Sequence, residues 1–149
     1  MPDRLLALAL AMFLTIAAVA VQLEGLNVLS WVSTRPKGAH RLLLSAVICG
    51  IIVLHILEAA LFAVGYWLGE AVLHLGHFVG VHALTPFFYF YFAAETFTTQ
   101  SLGDVYPLGA LRMLASIEPI TGLILIGWST SFTFMLMNNY WEAKARHRR

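Results

Sequence analysis

The residues best suited to chemistry form one polar string between two long apolar runs. That string, residues 95–107, reads Glu-Thr-Phe-Thr-Thr-Gln-Ser-Leu-Gly-Asp-Val-Tyr-Pro. Thr85 is a good helix N-cap and Pro86 a good first helical residue, so a short helix is predicted from about Pro86 to Thr98. The carboxyl end of its dipole carries partial negative charge, which favours a cation beside the string.

Three apolar stretches are long enough to cross a bilayer, which takes about 20 helical residues. They run from Leu5 to Leu23, extending toward Trp31, from Leu42 to about Leu68, and from Leu108 to about Met137. The stretch from Val79 to Ala94 is apolar but too short to span, which predicts a re-entrant helix. The composition agrees, because 60% of the residues are hydrophobic and only 11% are charged. A soluble domain of 149 residues could not bury that much apolar surface.

The string resembles the pore loop of potassium channels, whose usual sequence is E-T-x-T-T-V-G-Y-G-D-x-Y-P. The flanks match, whereas Gln100, Ser101 and Leu102 replace Val, Gly and Tyr. Residues 112–122 are similar to the inner helix of small bacterial channel-like proteins, which often carries R-x-L-A-x-x-E-x-x-x-G. The resemblance covers Thr85 to Met137 and implies a potassium-channel-like pore domain.

This resemblance predicts an all-α membrane protein with three transmembrane helices, a re-entrant pore helix and a filter loop. One pore loop per chain implies assembly as a homotetramer. Residues 1–34 would form an extra transmembrane helix, and residues 35–149 the pore domain. The expected parts of that domain are an outer helix at about 42–68, a pore helix at about 86–98, a filter at 99–104, an inner helix at about 108–138 and a short basic tail.

The resemblance also assigns the ion-binding residues. Thr99 would offer its hydroxyl and carbonyl at the inner end, Gln100, Ser101 and Leu102 would offer carbonyls, and Gly103 would close the outer end. The ligand is then a permeant monovalent cation, K⁺ or Na⁺, with no other cofactor. A side chain at Ser101 costs about 1–2 kcal/mol in the positive-φ conformation of the family glycine, so Ser101 is expected to take another conformation and ion discrimination to be weak.

Two further pairs follow from the same resemblance. Glu95 and Asp104 match a family pair that supports the filter, and their contact would leave one carboxyl protonated near neutral pH. Gly122 matches the family's hinge glycine, and Pro119 removes a backbone hydrogen bond nearby. The alternative is that Gly122 only allows two helices to approach closely.

Ionisable residues inside spans need a partner or a function. His55 and Glu58 are i,i+3 neighbours, so they form either an internal clasp or a proton-sensitive pair. Glu70, His74 and His77 could share a helical face and offer a weak metal site, although no tight ligand signature accompanies them. Their alternative is a polar membrane interface.

Basic residues predict the orientation, because they mark cytoplasmic segments. They follow the first span (Arg35, Lys37, Arg41) and the third (Lys144, Arg146, Arg148, Arg149). The N-terminus and the polar string therefore face outward and the C-terminus is cytoplasmic, in a cell membrane expected to be a bacterial inner membrane. The rival interpretation of the first stretch, a cleaved signal peptide, is disfavoured by Asp3 beside Arg4.

No enzyme signature is present, and nothing indicates nucleic-acid binding. The leading hypothesis is a homotetrameric cation channel in contact with membrane lipids, with a weakly selective filter. The alternative is a non-conducting, channel-like accessory or structural subunit of a larger membrane complex. A third class, a membrane redox or metal-handling protein built on the histidines, has less support.

Overall fold

The structure is a computed structural model that describes residues 1–33, 40–80, 84–100 and 103–146, with the backbone alone at 40, 41 and 142–146. Its helices and strands are α1 (Pro2–Ser33), α2 (His40–Trp67), a π-helical turn (Leu68–Val72), β1 (Phe78–Val79), α3 (Pro86–Phe97), β2 (Tyr106–Pro107) and α4 (Leu111–Arg146). Ser101 and Leu102 of the string, and the basic residues Arg35, Lys37, Arg148 and Arg149, lie outside the described residues.

Three helices are long and apolar enough to cross a membrane, which confirms the three predicted spans. They are Pro2–Ser33, Leu42–Val72 and Leu111–Trp141. The second passes the expected end at Leu68 because the π-helical turn continues the rod to Val72. Helix α3 has 12 residues, so it is about 18 Å long and cannot span. The all-α membrane fold is therefore confirmed, and the re-entrant position of α3 stays a prediction.

Helix α1 packs along α2 through small residues. A Cβ placed on Gly25 or Gly50 would lie 2.5 Å from a methyl group of Leu54 or Leu29, respectively. Near the other end of the two helices, Leu14 fills the space that a Cβ on Gly65 would take. Residue numbers rise along α1 as they fall along α2, so the helices are antiparallel. Glycine allows this close approach, which supplies van der Waals contact that lipid does not.

Polar side chains join α1 to α4. The hydroxyls of Thr15 and Thr121 lie 3.1 Å apart. The Gln22 amide is fully buried and donates to Ser129 Oγ at 2.8 Å and to the Leu125 carbonyl at 3.2 Å. The extra helix therefore contacts both full-length helices of the predicted pore domain.

The segment after α2 runs antiparallel to the segment after the polar string. Phe78 pairs with Pro107 and Val79 with Tyr106. Two backbone bonds extend this ladder, from Leu108 N–H to His77 O at 2.8 Å and from Ala110 N–H to Leu75 O at 2.7 Å. The predicted re-entrant stretch consequently begins as a strand at residues 78–79, and its helix starts only at Pro86.

Aromatic rings fill the space between α3, α2 and β1. The ring centroids of Phe92 and Phe78 are 4.8 Å apart, and those of Phe92 and Tyr66 are 5.0 Å apart, both edge to face. Near the other end of α3, the ring centroids of Phe97 and Phe62 are 6.4 Å apart. Edge-to-face rings add specific geometry to buried apolar area, so this core fixes where α3 ends.

Candidate functional site

The amino end of α3 begins as its sequence predicts. Thr85 has extended backbone angles, and its hydroxyl accepts the N–H of Phe88 at 3.2 Å. Pro86 occupies the first turn, where no N–H is needed. The helix start is therefore set by its own cap.

The carboxyl end of α3 turns sharply into the polar string. The Thr98 N–H and hydroxyl donate to the Ala94 carbonyl at 3.2 and 2.9 Å, and the Thr99 N–H donates to the Thr96 carbonyl at 3.0 Å. Thr99 has φ +64, a left-handed conformation that costs a residue with a Cβ about 1–2 kcal/mol. Nothing in the sequence indicated a left-handed residue at Thr99, and the expectation that Ser101 avoids this conformation stays a prediction.

The described part of the string lies open on one side of the single chain. Thr98, Thr99, Gln100, Gly103 and Asp104 are exposed. Gly103 has φ +74 with open space around it, so glycine is required there by its backbone conformation rather than by crowding. A cavity of about 330 Å³ borders the string. Its lining comprises Phe92, Glu95, Thr96, Thr99, Gln100, Val105, Tyr106, Pro107, Ala115 and Pro119.

The expected filter-support pair is not hydrogen-bonded in this chain. Glu95 is half-buried against the cavity, and Asp104 is exposed. Among the residues that the structure describes, no hydrogen bond joins the two carboxyls. Their contact stays a prediction for the assembled protein.

A different carboxyl lies behind the string. The Tyr66 hydroxyl donates to Glu118 Oε2 at 2.5 Å, and the Thr96 side chain lies near the same hydroxyl. Glu118 is 0% exposed, and its second oxygen, Oε1, has no hydrogen-bond partner among the described residues. An unsatisfied buried acceptor costs about 1–3 kcal/mol, so this carboxyl is kept at the expense of stability.

Helix α4 makes a second close contact with the end of α3. A Cβ on Gly122 would lie within 3.0 Å of the Phe97 carbonyl oxygen, where no real Cβ fits. Helix α4 is unbroken through Pro119, which borders the cavity. The close-approach role of Gly122 is thus present in the structure, and hinge motion at Pro119 and Gly122 stays a prediction.

His55 and Glu58 meet as their spacing predicts. His55 Nδ1 lies 2.8 Å from Glu58 Oε2, and the imidazole centroid lies 6.0 Å from that of Phe97. Glu58 is 0% exposed, and its Oε1 has no partner in the described part of the chain. The geometry is that of a clasp beside the end of α3, and proton sensitivity of the pair stays a prediction.

The prediction that Glu70, His74 and His77 share a helical face is wrong, because the helix ends at Val72. His74 has φ +50, and both histidines are exposed. Glu70 instead accepts the Tyr89 hydroxyl at 2.9 Å and the Phe78 N–H at 3.2 Å. In the described ranges, no group of three His, Cys, Asp or Glu residues could hold a metal.

Tyr89 remains the donor in its pair with Glu70. Burial, followed by the hydrogen bond to Glu70 and the charge on that carboxyl, raises the pKa of Tyr89 to about 12. The phenol therefore keeps its proton across the physiological range. This contact anchors the first half of α3 to the end of the second span.

Sequence reasoning missed the partners Tyr66, Tyr89 and Gln22. Each is a polar side chain in or beside an apolar helix, and that was the only available signal. Of the acidic partners, Glu70 was a candidate site residue and Glu118 is the glutamate of the pattern at residues 112–122, but a single sequence does not show which side chains face each other across helices.

A family described as "Ion channel" matches residues 42–139, about two thirds of the chain. The chain belongs to this ion channel family. The match covers α2, α3, the string and most of α4, and it leaves α1 outside. No curated protein and no solved structure matches the chain.

Proposed function

We propose that this ion channel protein is a homotetrameric cation channel of potassium-channel type, with a filter at residues 99–103 that discriminates weakly between K⁺ and Na⁺. One observation carries the proposal. A capped half-helix, α3, lies between two full spans and ends on a polar string that is open on one side. Dipoles at the carboxyl end of such a helix favour a cation.

Assembly follows from the open side of the string. One chain supplies one short, exposed segment of filter backbone, and such backbone at membrane depth must face protein or water. Four copies around an axis would give each string a water-filled lumen on one side and protein on the other. The cavity bordered by Glu95 and Tyr106 would then contribute to the surface between copies.

Weak selectivity follows from the backbone of the string. Left-handed φ angles occur at Thr99 and Gly103, whereas the family string needs a positive φ at the position held here by Ser101. A backbone turn at Thr99 redirects the first carbonyl of the filter. Fewer carbonyls would then replace the water around the ion, which lowers discrimination between ions.

The location proposed for the channel is a bacterial inner membrane, with the string facing outward. Support comes from the basic residues that follow the first and third spans. The second candidate, a non-conducting subunit of a larger complex, is favoured only by the departures at residues 100–102. Oligomeric mass in nanodiscs separates the two, because the channel requires four copies.

Reversal potentials under opposed K⁺ and Na⁺ gradients test the conduction proposal. Purified wild-type protein in planar bilayers should pass both ions at similar rates. The combined change Gln100→Val, Ser101→Gly and Leu102→Tyr should raise potassium preference by about tenfold or more. The single change Gln100→Val is the control, because it supplies neither the glycine nor the tyrosine. Strong potassium selectivity in the wild type, or a copy number other than four, would contradict the proposal.

A further inference from the structure

We infer that Glu118 is a positioning residue for the filter, acting through Tyr66 and Thr96. This inference rests on the proposed channel function. Glu118 lies on α4, Tyr66 on α2 and Thr96 on α3, so three separate helices meet at one hydroxyl. None of the three lies in the proposed filter, residues 99–103.

The contacts form a continuous path to the first filter residue. Tyr66 donates to Glu118 Oε2 at 2.5 Å, and the Thr96 side chain lies near the Tyr66 hydroxyl. The Thr96 carbonyl then accepts the Thr99 N–H at 3.0 Å. Thr99 is the residue in the left-handed conformation. The path combines the Tyr66–Glu118 hydrogen bond, the proximity of the Tyr66 hydroxyl to Thr96 and one backbone hydrogen bond, so we expect that loss of the carboxyl loosens the turn that presents Thr99.

Helix α4 reaches the same turn by a second route. Gly122 is one helical turn beyond Glu118, on the same face, and it rests against the Phe97 carbonyl. Helix α4 therefore contacts the residues immediately before Thr99 twice, through the polar path and through backbone.

The polar path is poorly explained by stability alone. Glu118 Oε1 is buried without a partner among the described residues, and replacing half-satisfied buried polar groups with apolar side chains is often stabilising. The pair that the family resemblance predicts, Glu95 with Asp104, is not hydrogen-bonded here. Glu118 is thus a carboxyl that the structure connects to α3 through Tyr66.

The test uses the full chain with Tyr66→Phe, Glu118→Ala and Glu118→Gln. Tyr66→Phe and Glu118→Ala should each change the K⁺/Na⁺ permeability ratio by about threefold or more, as expected for one net hydrogen bond. Glu118→Gln should restore the wild-type ratio, because its amide oxygen still accepts the Tyr66 hydroxyl. Tyr89→Phe is the matched control, since it removes a phenol from a different carboxyl, and it should leave the ratio unchanged.

Hydrogen exchange at the amides of residues 98–100 gives a readout that does not require current. Exchange should quicken in Tyr66→Phe and Glu118→Ala and stay at the wild-type rate in Glu118→Gln and Tyr89→Phe. If Glu118→Ala does not fold, Thr96→Val breaks the same path from α3 and should act like Tyr66→Phe. Wild-type permeability ratio and exchange rate in Tyr66→Phe and Thr96→Val would overturn the inference. A wild-type protein that passes no cation, yet shows the exchange pattern, would overturn only the proposed function.

Discussion

A hydrogen bond between a tyrosine and a glutamate lies near each end of α3, but only one of the two glutamates has both of its oxygens bonded within the part of the chain that the structure describes. At the amino end, both oxygens of Glu70 are used, one by the Tyr89 hydroxyl and one by the Phe78 N–H. At the carboxyl end, Tyr66 uses one oxygen of Glu118, and the other has no partner among the described residues. A satisfied pair fixes structure, whereas a half-satisfied buried carboxyl costs stability.

The two glutamates also differ in burial. Glu70 is half-buried beside an antiparallel loop, but Glu118 is fully buried between spans. The end with the costly carboxyl is also the end with the left-handed Thr99. The left-handed Thr99 and the half-satisfied Glu118 thus belong to the same end of α3, which is the pattern expected of a functional site.

The strongest way to break the carboxyl end is Gly122→Ala. The new methyl group would overlap the Phe97 carbonyl, so α3 and α4 must separate. We expect a loss of about 2 kcal/mol or more in the free energy of unfolding, as for other overpacked sites. Denaturant titration in detergent micelles measures it.

Gly127→Ala is the control on the same helix. A Cβ there meets no atom within 4 Å, so the change should be neutral or slightly stabilising. Equal effects of the two substitutions would show that α4 does not press on the end of α3.

The amino end should respond to Tyr89→Phe with lower stability and unchanged ion preference. Loss of the hydroxyl leaves one oxygen of Glu70 without its donor, at a cost of about 1–2 kcal/mol. Unfolding titrations and reversal potentials measure the two properties separately. Tyr91→Phe is the control, because this tyrosine of the same helix is 44% exposed. It should change neither the free energy of unfolding nor the reversal potential. A change of ion preference in Tyr89→Phe would contradict the expectation that only the carboxyl end of α3 affects ion preference.

Alkaline pH should weaken the amino end through the same tyrosine. Its pKa is raised to about 12 by burial and by Glu70, above the usual 10.0, so the folded state holds the proton more tightly. The contribution of Tyr89 is complete below pH 10 and is lost as pH rises toward 12. The stability difference between wild type and Tyr89→Phe should therefore shrink over that range. A difference that stays constant from pH 8 to pH 12 would contradict the assigned hydrogen bond.

Much of the fold follows from local sequence. Apolar runs predict the three spans, and the Thr85-Pro86 pair predicts the start of α3, because length, hydropathy and capping act over neighbouring residues. Contacts between helices are different, since they depend on rotation and register. The Tyr66–Glu118 and Gln22–Ser129 bonds join residues that are 52 and 107 positions apart, and no local pattern specifies them.

The string directed attention to residues 99–103, and the role of each as a filter residue stays a prediction. The family's glycine pattern puts a positive φ at position 101, which Ser101 was expected to avoid, and it gave no reason to expect a left-handed Thr99. Thr99 follows the end of α3, which is fixed by contacts with α2 and α4. The helical spacing of Glu70, His74 and His77, on which the weak metal hypothesis depended, is absent because the helix ends at Val72.

The smallest expected effect, from Thr85→Ala, tests whether the amino end depends on its own cap or on the loop beside it. The substitution removes an exposed bond to the Phe88 N–H, so we expect a loss of about 0.5–1 kcal/mol in the free energy of unfolding. Thr85→Ser keeps the hydroxyl and should match the wild type. Because Glu70 and the aromatic core remain, α3 should stay in place and ion permeability should not change. A larger loss, or an altered permeability ratio, would show that the two ends of α3 are coupled and that the amino end also positions the filter.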